Sequence, residues 1–167
     1  SPMPTPAPPA PTSPTASEPT PTAEPTQTPP PLPPEAGTGD AVGAEAFIRH
    51  FFDVSNYAYR TGDTEPLREI SDPECRTCSL TLEDVDLTYQ KGNVIDGGQV
   101  TLTSVLAVDP GPSGRVVARI VILQSDIFER DADGEVIHSD TSQPGEAYLQ
   151  MAVQWDGEKW RTLEIAE

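Results

Sequence analysis

The chain has 167 residues, with 20 prolines, two cysteines and a formal net charge of -17 at neutral pH. Only four of its acidic residues precede residue 41, so the remainder stays strongly negative, which disfavours binding to nucleic acids and to anionic lipid surfaces. Residues 41–167 suffice for one domain with a modest core, and no apolar run approaches the ~20 residues of a membrane span.

Residues 1–40 predict a disordered tether. Fifteen of the twenty prolines lie in residues 1–34, Thr, Ser and Ala fill most of the gaps, and no Lys or Arg precedes Arg49. Such a segment buries too little apolar area to offset the entropy of ordering it. In the polyproline II conformation, thirty-four residues span up to roughly 100 Å. We interpret the segment as a tether that holds a folded domain away from a surface, and a linker to a second domain is the alternative.

A long helix is predicted over residues 41–60, with Asp40 as its N-cap. At 100° per residue, charged and polar side chains fall on one side and apolar side chains on the other. His50 and Tyr57 lie at the border between the two sides. Gly62 is a natural C-terminal cap. The side predicted to be buried consists of Phe47, Phe51, Val54 and Ala58.

Two further helices are predicted over residues 65–70 and residues 73–90. Pro66 lies in the first turn of the shorter helix, where proline is tolerated. The longer helix has an apolar stripe with spacings of 3, 4, 3 and 4, typical of one buried helical side. Both cysteines therefore lie on the buried side. The stripe consists of Cys75, Cys78, Leu82, Val85 and Tyr89.

From Gly98 onward the apolar period changes to two, which predicts antiparallel strands. Trp155 and Trp160 are expected to pack across the last hairpin or at one end of the core. The predicted strands are residues 100–108, 115–128, 135–138, 146–155 and 159–165, and a polar loop is predicted over 139–145. Helices followed by antiparallel strands predict a single α+β domain over 41–167, with the helices packed on one face of the sheet.

This order of elements, closing on Trp155-Asp-Gly-Glu-Lys-Trp160, resembles the nuclear transport factor 2-like superfamily. The resemblance implies a bent antiparallel sheet that wraps the first helix into a cone. The chain is also similar to an uncharacterised family of actinobacterial secreted lipoproteins. The matching pieces are the Pro/Thr-rich lead, Gly43-Ala-Glu-Ala-Phe47, Tyr57-Ala-x-x-Thr-Gly-Asp63, Asp72-Pro-Glu-Cys-Arg-Thr-Cys78, Gly97-Gly98 and the final Trp–Trp hairpin.

The lipoprotein resemblance implies a location outside the cytoplasm, on the outer face of the plasma membrane. Members of that family would be anchored by a diacylated cysteine at the start of the mature chain. No such cysteine is present, so we expect it just before Ser1, and the missing initiator Met suggests that an upstream segment has been removed. The resemblance implies no established activity, because the superfamily includes both enzymes and binding modules.

The Cys75-x-x-Cys78 pair has three interpretations. A local disulfide at the start of the third helix is favoured for a protein of an oxidising compartment. A thioredoxin-type redox site requires an exposed helix start after a strand, and the predicted context is different. A zinc site needs further ligands, and the two histidines, His50 and His138, do not have the spacing for it.

Four residues are candidates for lining a pocket in the cone. His50 is the general-base candidate, and Tyr57, Tyr89 or Tyr148 would polarise a ligand oxygen. No catalytic motif of the superfamily is matched residue by residue. The simpler interpretation is a half-buried histidine that is hydrogen-bonded to backbone or to a tyrosine.

The sequence therefore favours a non-catalytic, envelope-tethered monomer that binds a partner protein or a small apolar ligand. It predicts no cofactor, no metal and no nucleic-acid partner, and membrane contact only through the inferred lipid anchor. Two rivals stay open. One is a small-molecule isomerase or dehydratase-like enzyme with His50 as base, and the other is a thiol-redox accessory protein.

Overall fold

The computed structural model describes residues 2–3, 27–141 and 145–167. Most of the predicted tether lies outside these residues, as do residues 142–144 of the predicted polar loop. No helix in the described part of the chain has the length and apolarity of a membrane span. The elements are a 3-10 helix Pro34–Gly37, α1 Ala41–Thr61, α2 Glu65–Glu69, α3 Arg76–Gln90, β1 Val94–Gly97, β2 Val100–Leu106, β3 Arg115–Gln124, β4 Ile127–Arg130, β5 Val136–Asp140, β6 Glu146–Trp155 and β7 Trp160–Ala166.

Helix α1 begins and ends where its capping residues predict. The Asp40 carboxylate accepts a hydrogen bond from the Gly43 amide, and Gly62 adopts a left-handed conformation with φ of 76°. The ring of Tyr89 packs so closely on Gly62 that a side chain at that position would overlap it. The predicted apolar side is buried, and the two border residues, His50 and Tyr57, are buried as well.

Helix α3 begins three residues later than predicted. The Asp72 side chain accepts from the Glu74 amide, and the Asp72 carbonyl accepts from the Cys75 amide, so residues 72–75 form a turn instead of a first helical turn. Cys75 takes the N-cap position, where its sulfur accepts from the Cys78 amide at 3.2 Å. A short polar side chain that satisfies the backbone before a helix therefore moves the helix start.

The strands form two hydrogen-bonded sheets, where the sequence predicted one bent sheet. One has the order β2-β3-β6-β7 and the other β1-β4-β5, and all pairs of strands within them are antiparallel. Strand β1 was not predicted, and the run predicted over 115–128 breaks between β3 and β4. Since β1 leads into β2 and β3 into β4, the two sheets share one long hairpin that bends in the middle.

The bend is built from Gly97 and Gly98 opposite Ser125 and Asp126. Both glycines have positive φ, and a side chain at Gly97 would collide with the Asp126 carbonyl. The Gly98 amide donates to the Asp126 carbonyl, and the Ser125 amide donates to the Gln99 carbonyl, so backbone pairing continues through the bend. The β-branched run alone gave no indication of this break.

A second irregularity corrects the predicted alternation in β2. The register shifts between Leu102 and Ser104, so Val100, Leu102 and Val105 face the helices. Leu106 and Val108, expected on the same side as Val100, are exposed instead. A bulge of one residue reverses every later side chain of a strand.

The core lies between α1 and the inner face of the four-stranded sheet. Buried β3 and β6 residues face Phe47, Ile48 and Phe51 of α1. Trp155 and Trp160 are cross-strand partners with ring centroids 5.3 Å apart, as predicted. The predicted α+β class, with helices packed on antiparallel strands, is thereby confirmed.

The packed region begins before the expected boundary at Ala41. Ala36 is buried in the core, and the Trp160 indole N–H donates to the Thr38 carbonyl at 2.8 Å. Gly39 lies against the Trp155 ring, where a side chain would not fit. The tryptophan pair thus fixes residues 36–39 to the domain.

Candidate functional site

Two hollows lie on different sides of α1. The first, which we call the interior cavity, opens between α1, α3 and the inner face of the sheet and measures about 200 Å³. Its apolar lining is Phe51, Phe52, Leu67, Cys78, Val100, Ile122, Leu149 and Ile165, and its polar lining is Ser55, Tyr59, Thr77, Thr81 and Gln124.

The interior cavity is lined by uncharged side chains, both apolar and polar. Its lining includes no Asp, Glu, His, Lys or Arg. Burial, with the Asp84 carboxylate nearby, raises the pKa of the Tyr59 phenol, which also hydrogen-bonds with Thr81. Tyr59 is therefore protonated at neutral pH. The lining offers apolar contact and neutral hydrogen bonds, but no group that exchanges a proton readily near neutrality.

A disulfide forms part of the cavity wall. Cys75 and Cys78 are joined by a bond of 2.04 Å, and both residues are buried. Because Cys75 is also the N-cap of α3, the bond ties the cap to the first helical turn. Disulfides are typical of oxidising compartments. Neither sulfur is presented at an exposed helix start, which is the arrangement that thioredoxin-type chemistry uses.

The second hollow, which we call the α1 groove, measures about 440 Å³ and contains His50. It is lined by Pro33, Glu35, Val42, Glu45, Ala46, Arg49, His50 and Asp53. Burial lowers the pKa of His50, and the negative charge of Asp53 opposes that shift. His50 is therefore neutral at pH 7, but it lies on the opposite side of α1 from the cavity-lining residues.

The three tyrosines proposed to accompany His50 lie apart from one another. The Tyr57 hydroxyl donates to the Asp63 carboxylate at 2.9 Å, and this bond raises the pKa of Tyr57. The Tyr89 hydroxyl donates to the Tyr59 carbonyl at 2.9 Å. Tyr148 is exposed on the far face of the sheet. None of the four predicted pocket residues lines the interior cavity, so the structure does not assemble them into one site.

Sequence reasoning missed Tyr59, Thr81 and Gln124, three of the five polar residues that line the interior cavity. Tyr59 follows Ser55 by one turn on the same side of α1, so its position on the helix was a usable signal. Gln124 is the last residue of β3 and faces inward next to the bend. That bend was not predicted, and therefore neither was the position of Gln124. Among the described residues, no group of three or more His, Cys, Asp or Glu is placed to hold a metal.

Among the solved structures, an alignment with a TM-score above 0.5 supports the fold alone. The intermembrane space region of the chloroplast protein ARC6 aligns with a TM-score of 0.51 and 20% identity, over 76% of this chain and 95% of that one. Aln2 from a Streptomyces species aligns at 0.46 and 8%, over 74% and 88% of the two chains. An uncharacterised Caulobacter vibrioides protein with a cystatin-like fold aligns at 0.42 and 13%, over 71% and 83%.

No curated protein shows significant sequence similarity to this chain. A family defined by sequence does match, and it covers residues 15–166, which include the second part of the Pro/Thr-rich lead and every helix and strand described above. The chain therefore belongs to DUF6318, a family of unknown function.

Proposed function

We propose that this domain is a non-catalytic binding module that holds a small, uncharged, mainly apolar molecule in the interior cavity. The observation that carries the proposal is the composition of that cavity. Eight apolar or sulfur-containing residues and five neutral polar residues line a space of about 200 Å³. An apolar cavity of about 150 Å³ is known to take up benzene, so this space suits a ligand of one or two small rings.

The absence of ionisable carboxylates, imidazoles and cationic groups from the lining supports binding over catalysis. General acid–base catalysis needs a group with a pKa near the working pH within hydrogen-bond reach of the substrate. Tyr59, with its raised pKa, acts only as a hydrogen-bond donor or acceptor. A ligand would be oriented by Tyr59, Thr81 and Gln124 and held by the aromatic rings of Phe51 and Phe52.

We place the module outside the cytoplasm, held at the plasma membrane by a lipid anchor upstream of the Pro/Thr-rich segment. The Cys75–Cys78 disulfide supports an oxidising compartment. The composition of residues 1–34 supports a tether. The anchor itself rests on the resemblance to secreted lipoproteins and is tested by metabolic labelling of the full gene product with a palmitate analogue.

Titration of the protein with indole, followed by NMR of the backbone amides, tests the binding proposal. We expect saturable shifts confined to residues around the cavity. Leu149→Trp should fill the cavity and weaken indole binding by roughly tenfold or more, the loss of about 1.4 kcal/mol. Leu102→Trp is the matched control, since Leu102 is also partly buried on the inner sheet face but does not line the cavity.

The rival enzyme hypothesis makes a different prediction for His50. If the cavity is the site, His50→Ala leaves indole affinity unchanged, because His50 lies in the α1 groove. Indole shifts centred on the α1 groove, or equal affinity in the Leu149→Trp and Leu102→Trp proteins, would refute the binding proposal.

A further inference from the structure

The face of the four-stranded sheet that points away from the helices, here called the outer sheet face, has an unusual composition for so acidic a chain. Its centre is apolar: Val117 is 48% exposed, Leu106 61% and Tyr148 71%. Val121 is the cross-strand partner of Tyr148, and Arg119 pairs with Leu106 on one side and Gln150 on the other. The face therefore joins apolar side chains from three neighbouring strands.

Arg119 lies in the middle of this face without a carboxylate beside it. Its neighbours along the same side of β3 are Val117 and Val121, and its cross-strand neighbours are Leu106 and Gln150. Within the described part of the chain, Arg119 takes part in none of the ion pairs, which instead involve Arg68, Arg130 and Arg161. Two carboxylates lie elsewhere on the same face. Glu146 accepts a hydrogen bond from the Tyr148 hydroxyl at 3.2 Å, and Glu164 is the cross-strand partner of Ala152, which in turn pairs with Val117.

An unpaired guanidinium among apolar side chains is unexpected in this chain, because its 27 acidic residues far outnumber its 10 basic residues. Arg115, on the same side of β3, adds a second positive charge. Exposed tyrosine and arginine within an apolar patch are the residue types that dominate binding energy at protein interfaces. Covering Arg119 with an apolar surface alone would leave a buried, unpaired charge, which is strongly unfavourable.

We propose that the outer sheet face docks a protein segment that carries a carboxylate flanked by apolar side chains. The carboxylate pairs with Arg119, and the apolar flanks cover Val117, Leu106 and Tyr148. This interaction is separate from the interior cavity, which opens on the other side of the sheet. Charge selects this occupant over a second copy of the chain, because each copy carries a net charge of -17 and two copies would repel each other. The body's large negative charge likewise opposes an anionic membrane.

Site-specific photo-crosslinking in the cells that produce the protein tests this proposal. A benzophenone amino acid replaces Val117 on the outer sheet face or, as control, Val136 on β5, which is 46% exposed and thus nearly as accessible. We expect a cross-link from position 117 to a protein segment that contains Asp or Glu, identified by mass spectrometry. Arg119→Glu should reduce that cross-link at least tenfold, whereas the charge-matched change Lys91→Glu on an exposed turn should preserve it.

The decisive step is charge reversal. Replacing the cross-linked acidic residue of the partner by Arg should restore cross-linking to the Arg119→Glu protein, which a merely structural role of Arg119 would not allow. Cross-links to another copy of this chain or to lipid would overturn the proposal. A cross-link yield at position 117 no higher than at position 136 would also overturn it. So would a cross-link at position 117 that Arg119→Glu leaves unchanged, provided that the circular dichroism spectrum shows the variant to be folded.

Discussion

The two hollows beside α1 differ in the property that matters for function. The α1 groove is larger, about 440 Å³ against about 200 Å³, and contains the only buried histidine of the described residues together with charged residues such as Glu45 and Asp53. The interior cavity is smaller and neutral, and its walls belong to the hydrophobic core. One helix therefore separates a charged surface groove from a neutral, mainly apolar cavity.

This contrast teaches that titratable residues and binding space need not coincide. His50 was the general-base candidate because imidazole is the common general base near neutral pH. A binding cavity in a small domain, by contrast, is made where core side chains fail to fill the space between a helix and a bent sheet. Substitutions on the two sides of α1 should therefore affect stability very differently.

Phe51→Ala should have the largest effect, a loss of about 3–5 kcal/mol in the free energy of unfolding. Phe51 is buried against Phe52, with ring centroids 5.4 Å apart, and its removal enlarges the interior cavity. Urea denaturation followed by circular dichroism measures the loss. Val42→Ala is the counterpart in the α1 groove. Val42 is 63% exposed, so its truncation should change stability by at most about 0.5 kcal/mol.

A similar loss of unfolding free energy for both variants would show that the residues lining the α1 groove are as tightly packed as those lining the interior cavity. The contrast between a core wall and a surface groove would then be wrong.

Replacing both cysteines by alanine should cost about 2 kcal/mol. The chain-entropy estimate for so short a loop gives this value, and the N-cap contact from the Cys75 sulfur to the Cys78 amide is lost as well. Urea denaturation of the oxidised protein and of the double variant measures the difference. A reducing agent should destabilise the native protein by a similar amount and leave the double variant unaffected.

Hydrogen exchange locates this effect. Because Cys78 lines the interior cavity, amides of the first turn of α3 should exchange faster in the double variant, and those of Arg49 and Asp53 beside the α1 groove should not. If the oxidised native protein and the double-alanine variant are equally stable, the Cys75–Cys78 disulfide does not stabilise the part of α3 that borders the interior cavity.

The sequence predicted α1, α2, β6 and β7 within one or two residues, because caps and apolar periodicity agree there. Local sequence rules were enough to predict that Asp40 and Gly62 cap α1 and which side of the helix is buried. Where the prediction failed, the cause was a single residue that overrides a pattern. The side chain of Asp72 delays α3, and Gly97 bends the sheet.

The candidate site was harder to predict than the fold. The disulfide follows from two cysteines three residues apart at a helix start. The interior cavity depends instead on where β3 ends and how α3 lies against it, so Gln124 and Thr81 meet Tyr59 only in three dimensions. No local pattern marks residues that border a space left by imperfect packing.

The smallest expected effect is the pH dependence that His50 gives to stability. Burial lowers the pKa of His50 below its ordinary value of 6.5, so the unfolded chain binds the proton more readily than the folded one. The free energy of unfolding should therefore be unaffected by His50 above pH 6.5. It should decrease as the pH falls from 6.5 through the lower, folded-state pKa. Denaturant midpoints of native and His50→Gln proteins between pH 7.5 and 5 measure this contribution.

Two further variants sharpen that measurement. His138→Gln, on the exposed strand β5, is the control for the loss of a histidine side chain outside the α1 groove. Asp53→Asn removes the charge that favours protonated His50, so the pKa of His50, followed by NMR, should fall further and acid destabilisation should increase. If His50→Gln has the same pH profile as the native protein, the α1 groove is open to water around the imidazole. The solvent exposure of His50 would then be greater than its burial in the structure indicates, and the α1 groove would not contribute to the pH dependence of stability.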